Sequence, residues 1–330
     1  WSHRITRKPD ERLNKFKSRW CFRGDLERHT YEGNPYLPLV GWPTVRAALL
    51  LAATHGWKSR QVDFTLAFCQ SPQKREVFME LPQFYRPKGH EGKDIVLRLE
   101  KSIYGQMDSP KLFYEHLCVG MKAIGFEASL SDPCLFIHKT LPIMVLNYCD
   151  DQIWLSPSDS SIEDYVKKLA ALGYDLTLEP SGDMFGFLII DFKRVDSSIE
   201  LTQVGLIKKT IKYLGMESAK SLPTPALKEP LGTDPQGEPF NEKWNYAAAI
   251  GMLLYLSSNT RPDIQFAVHQ AARFTHAPRK SHGQAVKRIV RYLVGTADKG
   301  TKFIPDFTEG QNCNVDADFA GLYGDEDDQD

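Results

Sequence analysis

The 330 residues are 42% hydrophobic and 11% aromatic, enough apolar material for roughly two or three packed domains and too much for a disordered chain. A formal net charge of −1 excludes a uniformly basic nucleic-acid binder, yet the charge is divided, with cations crowding residues 4–28 and "DEDDQD" closing the chain. The six cysteines lack the close pairs of a zinc site, no apolar stretch reaches the length of a membrane span, and no basic-then-apolar leader opens the chain; reduced thiols, no membrane partner and a cytoplasmic location are therefore expected.

In chain order, "PTVRAALLLAATH" carries Pro in its first turn, strong helix formers throughout and Gly56 at its end, which predicts a helix over 43–55. "WKSRQVDFTLAF" alternates as a strand does, and "REVFMELP" puts Val77, Met79 and Leu81 on one face before "DIVLRLEKSIYG" alternates again. "SPKLFYEHLCVGMKAIGF" returns to a helical period, closing near Gly125, and "CLFIHK" and "IMVLNYCDDQIWL" follow as strand candidates. A Ser-capped helix at "SIEDYVKKLAALG", strands through "MFGFLIIDFKRV" and "SIELTQ", and a helix over 203–221 come next. The order predicts an α+β domain whose sheet is covered on one face. "SLPTPALKEPLGTDPQGEPF" reads as a linker between packed units, and three amphipathic helices after it make a helical subdomain.

Asp150 and Asp151 interrupt the apolar run "VLNYCDDQIWL". A solvated hairpin tip explains them, because Asp tolerates turn geometry. The alternative is that the tip binds a divalent metal, which needs a third carboxylate from another strand. Asp63 in "QVDFTLAF" supplies one. Three converging carboxylates suit hard cations, and two such ions can clamp the attacking and leaving oxygens of a phosphoryl displacement, the chemistry of polymerases. Phe68, five positions on, would then lie near an incoming sugar and exclude a 2′-hydroxyl, or else be an ordinary core aromatic.

Taken together, "VDFTLAF", "VFMELP", "KSIYGQMDSPKLFYEHL", "YCDD", "LTQVGLIKKTIKYLGM", "IGMLLYLSSNTRPDI" and "RIVRYLVGT" resemble, in content and order, the reverse transcriptase region of copia-type (Pseudoviridae) LTR retrotransposon Pol polyproteins. The resemblance covers nearly the whole chain. It implies a right-hand polymerase of fingers, palm with a ferredoxin-like sheet, and thumb, followed by a helical thumb or connection block. The implied division is fingers and palm over 1–222, linker and helical block over 223–310, and the truncated first strand of a ribonuclease H domain over 311–330. It also implies an RNA-directed DNA polymerase that uses two Mg²⁺ ions, with Mn²⁺ as a substitute, bound by Asp63, Asp150 and Asp151. The implied partners are a primed RNA or DNA template, deoxynucleoside triphosphates and other segments of the Pol polyprotein, within virus-like particles in the cytoplasm.

Other roles follow residue by residue from the same resemblance. Lys17 and Arg19 in "KSRWCFRG" match a basic fingers segment that contacts the triphosphate, a task suited to cationic side chains. Gly105 in "IYGQMDSP" matches a position where template and nucleotide approach the backbone, and Phe187 and Leu188 in "GFLIID" match the hairpin that grips the primer end. Asp316 in "VDADFAG" matches the first ribonuclease H carboxylate, although the chain stops soon after, so hybrid cleavage is expected to be absent from what reads as a piece of a longer polypeptide. Three departures stand out. Cys69, Gln70 and Ser71 replace the usual Leu-Asn-Gly, Cys149 replaces Val, and Ile189 replaces Gly. These leave a second expectation open, a decayed or domesticated remnant that binds nucleic acid without extending it. The cations of the helical block either track a duplex or form a solvated face.

Overall fold

In the computed structural model, residues 2–7, 13–27, 31–82, 85, 87–89, 95–180, 184–195 and 198–304 are described. Asp316 and the whole of 311–330 lie outside them. The protein divides into two compact units, one of residues 1–48 and 55–182, the other of 49–54 and 183–330.

The first unit begins with an antiparallel ribbon, β1 (Ser2–Arg7) with β2 (Leu13–Arg19), followed by the short α1 (Gly24–Glu27) and by the first half of α2 (Trp42–Thr54), of which residues 49–54 belong to the second unit. β3 (Lys58–Phe64) leads into a 3₁₀ turn, Ala67–Gln70, and β4 (Phe78–Glu80) pairs with β5 (Val96–Arg98) as a second ribbon. After α3 (Ser109–Ala123) come β6 (Phe126–Ala128), β7 (Leu135–His138), β8 (Met144–Tyr148) and β9 (Asp151–Ser156), then α4 (Asp159–Ala171) and β10 (Leu176–Leu178). Six strands form one antiparallel sheet in the order β10-β3-β9-β8-β7-β6. The helices lie where the sequence sets their ends. α4 starts where the Ser158 hydroxyl accepts the Ser161 backbone N–H at 3.3 Å, and Gly173, at φ 96°, ends it.

Alternate residues of the sheet build the core of this unit. Val62, Phe64, Phe136, Val145 and Trp154 pack with Phe113, Leu117 and Met121 of α3 and with Ile162, Val166 and Leu169 of α4. The expectation of a sheet covered on one face is corrected by β8 and β9, because Leu146, Ile153 and Leu155, on the other face, are fully buried as well. Continuous rather than alternating apolar residues in "IMVLN" and "IWL" are the sequence's record of that double burial.

The second unit contains β11 (Met184–Phe187), β12 (Ile190–Val195), β13 (Ser198–Thr202) and β14 (Thr301–Phe303), an antiparallel sheet in that order. Its helices are α5 (Val204–Tyr213), α6 (Tyr246–Asn259), α7 (Gln265–Ala272) and α8 (Lys280–Val294). α5 stops well before residue 221 because Gly215, at φ 65°, takes the left-handed turn. Ile207, Leu253, Leu256, Val268, Val286, Ile289 and Leu293 centre a helical core. The Pro/Gly-rich stretch is part of this unit rather than a free connection. Ala226, Leu231 and Phe240 pack on the helices, Phe240 gives its N–H to Pro278 O at 3.1 Å, and His282 bonds Gly232 O at 2.9 Å. Together the antiparallel sheets and packed helices make the protein an α+β fold.

Candidate active site

The Asp pair sits at a two-residue hairpin turn. Tyr148 pairs with Asp151, so Cys149 and Asp150 form the turn between β8 and β9. Cys149 takes φ 57°, the left-handed conformation that such a turn demands and that glycine adopts without strain. The antiparallel register sets Asp63 of β3 directly opposite Asp151 of β9, on one face of the sheet. Asp63 is exposed, while Asp150 and Asp151 are half-buried.

The charges register this proximity. Burial first, then the negative charges of Asp150 and Asp63, push the Asp151 carboxyl up to about 6. Burial and Asp150 push Asp63 up as well, opposed by the cation of Lys17 and more weakly by Lys15, with Glu179 adding to the rise. The Cys149 thiol is pushed up to about 12, chiefly by burial and then by Asp150, so it is a neutral packing group. Among the described residues no three His, Cys, Asp or Glu side chains stand as a group ready to hold a metal ion. What the fold provides is three acceptor-only carboxylates in mutual repulsion, a donor set whose chemistry suits a hard cation.

Around them lie the other expected residues of this unit. Lys17 and Arg19 project from alternate positions of β2, both exposed. The Arg19 guanidinium lies 4.6 Å from the centroid of the Tyr104 ring. Phe68, half-buried in the 3₁₀ turn, packs against the same ring at 4.9 Å and against Phe113 at 6.3 Å. Tyr104 thus joins the ribbon cation to the aromatic after Asp63, a role sequence reasoning missed; its only signal was an aromatic preceding the singled-out Gly105. Gly105 has a structural reason for lacking a side chain. At φ 91° its Cβ would overlap the Phe22 carbonyl, as a Cβ on Gly24 would overlap the Gly105 carbonyl, where Phe22 N–H bonds Tyr104 O at 2.8 Å.

Phe187 and Leu188 belong to the second unit. The Phe187 side chain is fully buried, 6.0 Å from the Phe192 ring, so it is not available to a ligand. Phe187 pairs with Ile190, leaving Leu188 and Ile189 as the turn, at φ 53° and 62°. Two left-handed residues in succession is the pattern that normally takes Asn-Gly, and here the second is β-branched. The Leu188 carbonyl accepts the Tyr255 hydroxyl at 2.6 Å.

A family model described as reverse transcriptase (RNA-dependent DNA polymerase) matches residues 1–228. The Pol polyprotein of transposon RE2 of Arabidopsis thaliana is 31% identical over 315 residues, covering 94% of this chain and 21% of its own length. That of transposon TNT 1-94 of Nicotiana tabacum is 28% identical over 307 residues, covering 90% of this chain and 23% of its own. The chain therefore spans roughly a fifth of these copia-type polyproteins. The putative transposon Ty5-1 protein of Saccharomyces cerevisiae is 25% identical over 245 residues, 73% of this chain and 78% of the relative. Among solved structures, the foamy viral protease-reverse transcriptase in complex with double-stranded DNA aligns at a TM-score of 0.42 with 14% identity, over 88% of this chain and 43% of that one.

Proposed function

Because the chain belongs to the reverse transcriptase (RNA-dependent DNA polymerase) family, we propose that it is the polymerase segment of a copia-type Pol polyprotein and adds deoxynucleotides to a primer 3′-hydroxyl on an RNA or DNA template. The observation that carries this reading is the register that brings Asp63 opposite Asp151, next to Asp150 at the hairpin tip. Asp63, Asp150 and Asp151 would hold Mg²⁺, or Mn²⁺ in its place, and a pair of such ions would lower the pKa of the attacking hydroxyl and neutralise charge on the leaving pyrophosphate. The remaining residues bind and orient. Lys17 and Arg19 meet the triphosphate, Arg19 held over Tyr104. Phe68, resting on the same ring, fills the space a ribose 2′-hydroxyl would need. In this reading the six-stranded sheet is the palm, the ribbons belong to the fingers, and the helices of the second unit serve as thumb and connection. Primer and template are gripped through phosphates and shape, so template sequence matters little and salt weakens binding.

A remnant that binds without extending remains as the second reading, favoured by the strained Leu188–Ile189 turn. Metal-dependent extension of oligo-dT on poly-rA by the purified chain decides between them. Extension that stops with chelator supports the polymerase; a primer-template shifted in a gel but not extended supports the remnant.

A further inference from the structure

The carboxylate hairpin has a hidden face. Asn147 of β8 stands directly opposite Gln152 of β9, one pair in from the turn, and the two residues are 1% and 0% exposed. The two-residue period puts them on the face opposite Asp151. There Val145 and Trp154 pack in the same core as α4's Ile162 and Val166. Within this apolar layer three side chains form a relay. The Trp154 indole N–H donates to Gln152 Oε1 at 2.9 Å, and Gln152 Nε2–H donates to Asn147 Oδ1 at 3.0 Å. Asn147 also gives its backbone N–H to Cys134 O at 2.9 Å.

Burial of the Trp154 indole calls for an acceptor, which Gln152 supplies, but not for a second amide at Asn147, where Leu would fill the same space and would pair in any register. Amides are satisfied in one register only, and a buried amide without a partner is costly. Register is what this hairpin must keep. A slip of one residue would turn Asp151 into the core and end its pairing with Asp63. The turn is a weak guard against that, because Cys149 occupies its left-handed position under strain.

We propose that Asn147 and Gln152 are positioning residues, a buried amide pair that fixes the register in which Asp150 and Asp151 are presented beside Asp63. Its consequence for catalysis rests on the polymerase reading; its geometry does not. The test is a shape-matched apolar pair, Asn147→Leu with Gln152→Met, beside the reciprocal swap, Asn147→Gln with Gln152→Asn. In the apolar variant, hydrogen exchange of the 144–156 amides is expected to run at least about tenfold faster while that of α4 stays parental. Nucleotide addition should fall by about tenfold or more at unchanged primer-template affinity. The swap keeps the amide pair and should restore both. Parental exchange at the tip in the apolar variant would overturn the proposal, as would equal acceleration in α4, which marks a general core contribution. A swap that behaves like the apolar pair would overturn it too, and this arm decides alone if the apolar variant does not fold. Should the parent add no nucleotide, the polymerase reading fails while the exchange measurement still decides positioning.

Discussion

Asp63 and Asp151 face each other across two strands, so a neutral amide at Asp63 or at Asp150 removes charge from the site without disturbing an apolar core. Asp63→Asn and Asp150→Asn are each expected to abolish primer extension, by about a hundredfold or more, while primer-template affinity stays within a few fold. Extension near the parental rate by either variant would remove that residue from the proposed metal site. Phe68 is a different case, because it is half-buried and shares its ring contacts between Tyr104 and Phe113. Phe68→Val should admit ribonucleotides at least about tenfold better relative to deoxynucleotides in single-turnover assays; unchanged discrimination with a lowered Tm would make it a core residue instead. The carboxylates were legible in the sequence because two Asp in an apolar run conflict with their surroundings. Tyr104 was not, since an aromatic before a glycine carries no mark of the Arg19 and Phe68 that meet on it from distant segments. Phe187 shows the reverse limit, because a motif match places a residue on a hairpin but does not say which way its side chain points.

At the scale of elements, turns hold most of the local conflict. Ile189, 59% exposed, gains little from burial and stands at φ 62°, where a β-branched side chain is strained by about 1–2 kcal/mol. Glycine there relieves the strain and returns part of the gain as unfolded-state entropy. Ile189→Gly is therefore expected to stabilise the second unit by up to about 1 kcal/mol, raising its Tm by roughly 2–4 °C; a lowered Tm would mean the Ile side chain makes a contact worth more than the strain. The sequence showed this position as a departure from Gly, and the backbone supplies the cause. The helix end at Gly173 was legible because a residue type fixes it, whereas the helix expected to run to 221 stops at Gly215, a signal of the same kind that went unread. The Pro/Gly-rich stretch was not, because its composition reads as a linker while its few apolar residues, Ala226, Leu231 and Phe240, tie it to the helices.

Across the whole molecule, two units with separate apolar cores need not unfold together, and calorimetry is expected to resolve two transitions. The "NTRPD" motif offers the means to assign them. Arg261 is 1% exposed, and its guanidinium donates to both Asp263 oxygens at 2.9 and 2.8 Å and to the Thr296 carbonyl and hydroxyl at 2.8 and 2.7 Å, while the Tyr292 hydroxyl donates to Asp263 at 2.8 Å. This ties the end of α6 to the end of α8, which is a structural reason for a motif the sequence showed only as a family mark. Asp263→Asn leaves a buried cation with weaker partners, and with the Asp side chain 39% exposed the cost should be on the order of 2 kcal/mol. Burial would raise the Asp263 carboxyl, but the hydrogen bonds from Arg261 and Tyr292 outweigh it and hold it below its ordinary value. A group lowered in the folded state contributes stability that is complete above its unfolded pKa, about 3.9, and is lost as pH falls through the lower folded value. The Tm gap between parent and Asp263→Asn should therefore be widest near neutrality and close below about pH 4. It should affect the transition that hydrogen exchange assigns to α6–α8, leaving that of the sheet carrying Asp63 in place. A gap independent of pH would locate the loss in packing, and a shift of both transitions would show that the two cores melt as one.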